Sequence, residues 1–196
     1  MTQTFIDGSD VVIRLLGQDG GNPWHQQRGE AVAQAAYAIM VKETNRHMIQ
    51  TTYTKQIQKV GTPESVHLYL NEYPVTAGSI SIFTDDGTTA ISSNDWKLID
   101  ADISKIYKST GWSNPTYYWK VTYEAGYTQT DNQWEGLKEI QLEIAMLLWE
   151  RGGGDTEKVP QVDQFVVFDR SVDDKERAMK AWIKDVLRPY KKVVFA

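Results

Sequence analysis

The sequence predicts an α+β protein: a small bundle of about four helices, with an antiparallel β-sheet or sandwich module inserted between its N-terminal and C-terminal helices. Three observations predict it. Apolar residues recur at helical spacing near both ends of the chain. The middle consists of short segments rich in Thr, Tyr and Trp, divided by turn residues. The outer helices carry apolar faces that need partners, which they find most simply in each other. The expected organisation is one discontinuous helical domain (1–48 and 132–190), an inserted β module (49–131) and a flexible C-terminal docking tail (189–196).

Ser9-Asp10 is expected to cap a first short helix through Leu16, because either side chain can accept from the free amides of the first turn. Gly17 and the residues up to Pro23 form a turn-rich break. A longer helix is expected from about Trp24 or Arg28 to Arg46. Within it Val32, Ala35, Ala36, Ile39 and Met40 recur at helical spacing, and its alanines allow a partner helix to approach closely.

Beyond residue 48 the character changes. Residues 49–60 alternate polar and apolar side chains with many Thr, as in a half-exposed strand. Short strands are expected at Val66-His67-Leu68-Tyr69-Leu70, Ile80-Ser81-Ile82-Phe83, Trp96-Lys97-Leu98-Ile99 and Tyr117-Tyr118-Trp119-Lys120-Val121-Thr122-Tyr123. Between them lie Tyr73-Pro74, Asp85-Asp86-Gly87, Ser92-Ser93-Asn94-Asp95, Ser113-Asn114-Pro115 and Ala125-Gly126. No connection is long enough for a crossover helix, so the expectation is an antiparallel meander.

Helix returns near Gln133, with Asn132 as N-cap and Glu135 completing a capping box. Leu137, Ile140, Ile144 and Leu147 form one apolar stripe; Leu142, Met146 and Trp149 form a second. A helix apolar on most sides is expected at the centre of a bundle. It stops at Arg151-Gly152-Gly153-Gly154. Residues 164–168 are expected to form a short extended segment, and a last amphipathic helix is expected over about 172–188 with Met179, Trp182, Ile183 and Val186 on one face. Pro189 ends it.

Composition narrows the function. A chain of 196 residues buries roughly 70% of its unfolded surface, so a core forms without staples. There is no Cys, which removes disulfides, thiolate metal sites and cysteine nucleophiles. No apolar run reaches the roughly 20 residues of a membrane span, and Met1-Thr2-Gln3-Thr4-Phe5 lacks the layout of a secretory signal. A soluble protein that needs no oxidising compartment is expected. The net charge of −5 disfavours a free DNA-binding domain. From Asp173 to Lys192 seven basic and four acidic side chains give +3, leaving −8 on the remainder.

No catalytic constellation is visible. His25, His47 and His67 are far apart and lack a zinc motif. There is no Gly-x-Ser-x-Gly, and Gly152-Gly153-Gly154 precedes Asp155-Thr156-Glu157, which no phosphate loop does. Asp85-Asp86-Gly87 supplies too few oxygens for a calcium loop. No enzyme activity and no cofactor are expected. The sharp feature is aromatic: Trp96, Trp112, Tyr117, Tyr118, Trp119, Tyr123 and Tyr127. Alternate members can fill the inner face of a small sheet, or the set can form a sugar-stacking platform or a subunit interface.

Taken together, Val66-His67-Leu68-Tyr69-Leu70-Asn71-Glu72-Tyr73-Pro74-Val75, Ser79-Ile80-Ser81-Ile82, Trp96-Lys97-Leu98-Ile99-Asp100, Val121-Thr122-Tyr123-Glu124-Ala125-Gly126-Tyr127 and Leu137-Lys138-Glu139-Ile140 precede a helix ending Val186-Leu187-Arg188-Pro189-Tyr190-Lys191-Lys192. Over roughly residues 25–192 this order resembles the head–tail connector (adaptor) proteins of long-tailed bacteriophages and gene transfer agents. The long strand-rich insert and residues 152–169 depart from the compact members of that family. The resemblance implies a non-enzymatic virion protein of the neck, assembled in the host cytoplasm into a ring expected to be twelvefold. Such a ring lies under the portal protein, extends the DNA channel and carries head-closure or tail-completion proteins. Genomic DNA would pass without sequence-specific binding, and no membrane is involved. Arg188, Pro189, Tyr190, Lys191, Lys192, Val193, Val194 and Phe195 are the expected portal-docking residues, and Trp112, Tyr117, Trp119 and Tyr127 the expected subunit interface. Another virion ring component and a carbohydrate-binding module are the alternatives.

Overall fold

The computed structural model describes residues 4–17, 22–57, 66–84, 89–112, 118–151 and 174–191. The chain forms two compact units, Met1–Arg46 with Gln129–Lys192 and His47–Thr128. The first is helical and the second is built of strands, so the class is α+β.

In the helical unit, α1 (Gly8–Leu16) begins earlier than Ser9-Asp10 would place it. The Asp7 side chain accepts from the Asp10 amide at 3.0 Å, while the Asp10 carboxylate accepts from the Asp7 amide at 3.0 Å. This reciprocal capping box uses both carboxylates, and the Ser9 hydroxyl donates to Asp7 in place of capping. That hydroxyl, then the Asp10 and Ser9 amides, hold the Asp7 carboxyl below the ordinary carboxylate range. Gly17, at φ 64°, closes the helix by donating to the Ile13 carbonyl. Helix α2 (Pro23–Thr44) starts at Asn22, whose side chain accepts from the Trp24 amide at 3.0 Å. Pro23 fits the first helical position because its missing N–H would have had no partner there.

Helix α3 (Gln133–Arg151) is buried on most sides, as its two apolar stripes require: Leu137, Leu142, Ile144, Leu148 and Trp149 lie inside. They face Val32, Ala36, Tyr37 and Met40 of α2 and Val11 and Val12 of α1. The last helix, α4 (Asp174–Val186), buries Ile183, and Leu187 behind it is fully enclosed. A short 3-10 turn, Arg188–Tyr190, then follows Pro189's interruption of the helical ladder.

The β unit holds two antiparallel three-stranded sheets. One has β1 (Thr51–Ile57), β6 (Trp119–Ala125) and β3 (Ser81–Phe83) in that order; the other has β2 (His67–Tyr69), β5 (Lys105–Tyr107) and β4 (Lys97–Asp100). Antiparallel pairing agrees with the sequence reading, but the expected meander does not form. The first and last strands pair directly, from Thr51 opposite Ala125 to Ile57 opposite Trp119, so the unit begins and ends at one place. Strand β5 lies outside the strands the sequence predicts, because no longer run of alternating apolar residues surrounds Lys105–Tyr107. Strand β6 alternates regularly: Trp119, Val121, Tyr123 and Ala125 point inward, and Lys120, Thr122 and Glu124 outward. Its inner residues share one core with Leu68, Ile82, Ile106 and Trp112. Gly126 (φ 113°) lets the chain turn against Ile49, whose carbonyl carbon a Cβ would meet at 2.6 Å.

Candidate assembly surfaces

The expected aromatic interface separates into different environments. Trp112 is 0% exposed and Trp119 7%, with their rings edge-to-face at 5.9 Å. They fill the core of the β unit, because each ring removes a large apolar surface from water and neither leaves a face for a neighbour. The Lys108 ammonium lies 5.4 Å from the Trp112 ring centre and 5.7 Å from that of Trp119, adding a cation–π contact. Tyr127 is half-buried; its amide donates to the Met48 carbonyl at 2.6 Å and its carbonyl accepts from the Gln50 amide at 3.0 Å. Tyr117 lies outside the described residues. Tyr123 stacks on Tyr53 at 5.6 Å and its hydroxyl accepts from the Glu72 amide at 3.3 Å; burial pushes its phenol up.

At the C-terminal end, Arg188 and Pro189 are exposed, while Tyr190 is half-buried with its hydroxyl beside Gly136 of α3. The root of the expected docking tail is therefore built into the helical unit. Lys191 is exposed; Lys192, Val193, Val194 and Phe195 lie outside the described residues.

Three arrangements went unanticipated. Gln141, 0% exposed, accepts from the Phe5 amide at 2.9 Å and donates to the Ala33 carbonyl at 2.7 Å, tying the N-terminal segment to α2 and α3. Arg28, also buried, donates to the Trp149 carbonyl at 2.7 Å, and its guanidinium lies 4.3 Å from the Trp149 ring centre and 5.4 Å from that of Trp24. The spacing of Trp24 and Arg28, one helical turn apart, was the available signal. Finally, Met146, Leu147 and Trp182 line a groove of about 240 Å³ between α3 and α4, with Glu143 and Glu150 on its rim. Among the described residues no cluster of His, Asp and Glu could hold a metal, and no helix is long and apolar enough to cross a membrane.

A chain in the neck of an empty gene transfer agent particle, computed with C6 symmetry, is 14% identical, with a TM-score of 0.61 over 100% of this chain and 95% of that one. This chain shares that fold. A chain in the neck of the native particle, computed with C12 symmetry, is 12% identical with a TM-score of 0.55, again covering 100% and 95%. A third, from the virion of the native gene transfer agent particle, is 13% identical with a TM-score of 0.57 and the same coverage. At these identities the likeness is one of fold. No protein-family model and no curated protein matches the sequence.

Proposed function

We propose that the chain is a structural subunit of a virion neck, a head–tail connector that assembles as a ring beneath a portal, extends the DNA channel and carries the proteins below it. The observation that carries the reading is the end-to-end likeness to neck chains of gene transfer agent particles, 100% of this chain against 95% of that one. Twelve copies is the proposed number, in keeping with the C12 symmetry of one of those necks. The reading is non-enzymatic. The acidic remainder of the chain, −8 outside residues 173–192, suits a channel wall along which like-charged DNA slides without adsorbing. The burial of Trp112 and Trp119 removes two of the rings on which the carbohydrate-binding alternative would stack a sugar.

The basic and apolar C-terminal end is the proposed portal contact. Because Pro189 and Tyr190 belong to the 3-10 turn, removal of residues 192–196 is the clean test: the fold should persist and portal binding should be lost. The reading as a whole is tested by mass from light scattering, alone and mixed with the portal protein from the same source. A fixed stoichiometry on the portal supports it. No association with the portal under any condition counts against the connector role and in favour of a ring further down the tail.

A further inference from the structure

Trp182 stands between two surfaces of opposite charge on the helical unit. On one side is the apolar groove floored by Met146 and Leu147 and rimmed by Glu143 and Glu150. On the other is an open hollow of about 680 Å³ formed by α4 and the turn after it, where Lys184, Arg188 and Lys191 outnumber Asp185. Glu143 and Glu150 are both exposed and seven residues apart on α3, which places them about 10 Å apart along one side of the helix. Lys184, Arg188 and Lys191 are exposed over the same sequence span. Among the described residues, no ion pair joins the two glutamates to Lys184 or Arg188.

We propose that these two surfaces meet between copies, so that the basic hollow of one subunit packs against the acid-rimmed groove of the next. The inference rests on the ring reading above and names its lateral contact. The occupant is a second copy of this chain for two reasons. One protomer carries both complementary charges, and the half-buried Met146, Leu147 and Trp182 would be covered by such a contact. Two different patches allow a head-to-tail contact, and head-to-tail contacts generate rings when the rotation closes; because both patches adjoin Trp182, the same charges also fit a closed twofold pair, which the mass of the assembly separates from a ring. Arg188 then belongs to the lateral contact, and the portal-docking tail begins at Pro189.

Charge exchange tests this on the full chain, with the thermal melt of each variant showing that it folds and K184E or E150K alone standing in for a double variant that does not. K184E/R188E and E143K/E150K should each raise the concentration needed for self-assembly at least tenfold. An equimolar mixture of the two should restore it, because every contact in an alternating ring again pairs opposite charges. Normal assembly by both variants, or no rescue on mixing, overturns the proposal. Should the wild type stay monomeric in solution, E143C and K184C are mixed under oxidation. The chain has no cysteine of its own, and random pairing of equimolar thiols yields about twice as much heterodisulfide as either homodisulfide; a heterodisulfide well above that ratio supports the contact, and the random ratio overturns it. A wild-type ring indifferent to every exchange defeats this contact alone; a wild type that associates with neither itself nor the portal defeats the connector reading.

Discussion

Gly8 and Gly29 meet where α1 crosses α2, so closely that a Cβ on Gly29 would lie 2.3 Å from the Gly8 carbonyl oxygen. From the other side, a Cβ on Gly8 would lie 2.5 Å from the Glu30 amide nitrogen. The Glu30 carboxylate accepts from the Gly8 amide at 3.1 Å, so the crossing is also held by a hydrogen bond at the N-terminus of α1.

The sign of Gly29→Ala follows from comparing two terms. In an open helix interior the change would stabilise by about 1 kcal/mol through propensity. Here the added methyl strikes backbone, which cannot swing aside as a side chain can, and overpacking of this kind costs about 1–3 kcal/mol. The net expectation is a loss, read as a lower urea midpoint with an unchanged denaturant slope. A midpoint equal to or above wild type would show that the helices separate easily at this crossing.

Gln141→Leu preserves volume while removing the acceptor of the Phe5 amide. The Ala33 carbonyl sits within α2 and keeps its helical donor; the buried Phe5 amide is left without its side-chain acceptor. Leaving one buried donor unpaired costs about 1–3 kcal/mol. Hydrogen exchange should quicken at Phe5 well beyond its change elsewhere in the helical unit. Uniform exchange across that unit would place the role of Gln141 in packing alone.

Some of this was legible from residue order and some could not be. Helices announce themselves by local signs: Val32, Ala36 and Met40 recurring along α2, the two apolar stripes of α3, and Pro189 after α4. Trp119, Val121 and Tyr123 alternate as a half-buried strand must. What escaped is non-local. Nothing in residues 51–57 says that their partner is 119–125 in place of the next strand along, because alternation reports which side is buried and not who lies beside it. The Gly8–Gly29 crossing and the Gln141 clamp join residues far apart in the chain. Trp112 illustrates a different limit: aromatic richness serves a core and an interface equally well, and only burial separates them.

For Trp112 that separation has a measurable consequence. As an element of the core shared by both sheets, Trp112→Ala should cost about 3–5 kcal/mol. That is a large share of the roughly 5–15 kcal/mol by which domains are stable. The loss should be present in dilute monomer, where no subunit contact exists. Trp112→Phe should recover much of it. Full monomer stability combined with lost assembly would return Trp112 to an interface role.

Tyr123 couples the β unit to alkaline pH. Its buried hydroxyl accepts from the Glu72 amide, and burial raises the phenol above its ordinary value of 10.0. Between the unfolded and folded pKa values the unfolded chain has released a proton that the folded chain retains, so stability falls as pH rises. The contribution is whole below about pH 10 and is lost as pH climbs through the folded value. Near neutrality Tyr123→Phe should cost about 1 kcal/mol for the missing hydrogen-bond acceptor. Above about pH 10 that difference should shrink, since only the wild type must then protonate or expose this phenol to fold or unfold. Urea midpoints for the two proteins at neutral and alkaline pH measure it, and a gap that stays constant across that range would mean the Tyr123 hydroxyl titrates as freely folded as unfolded.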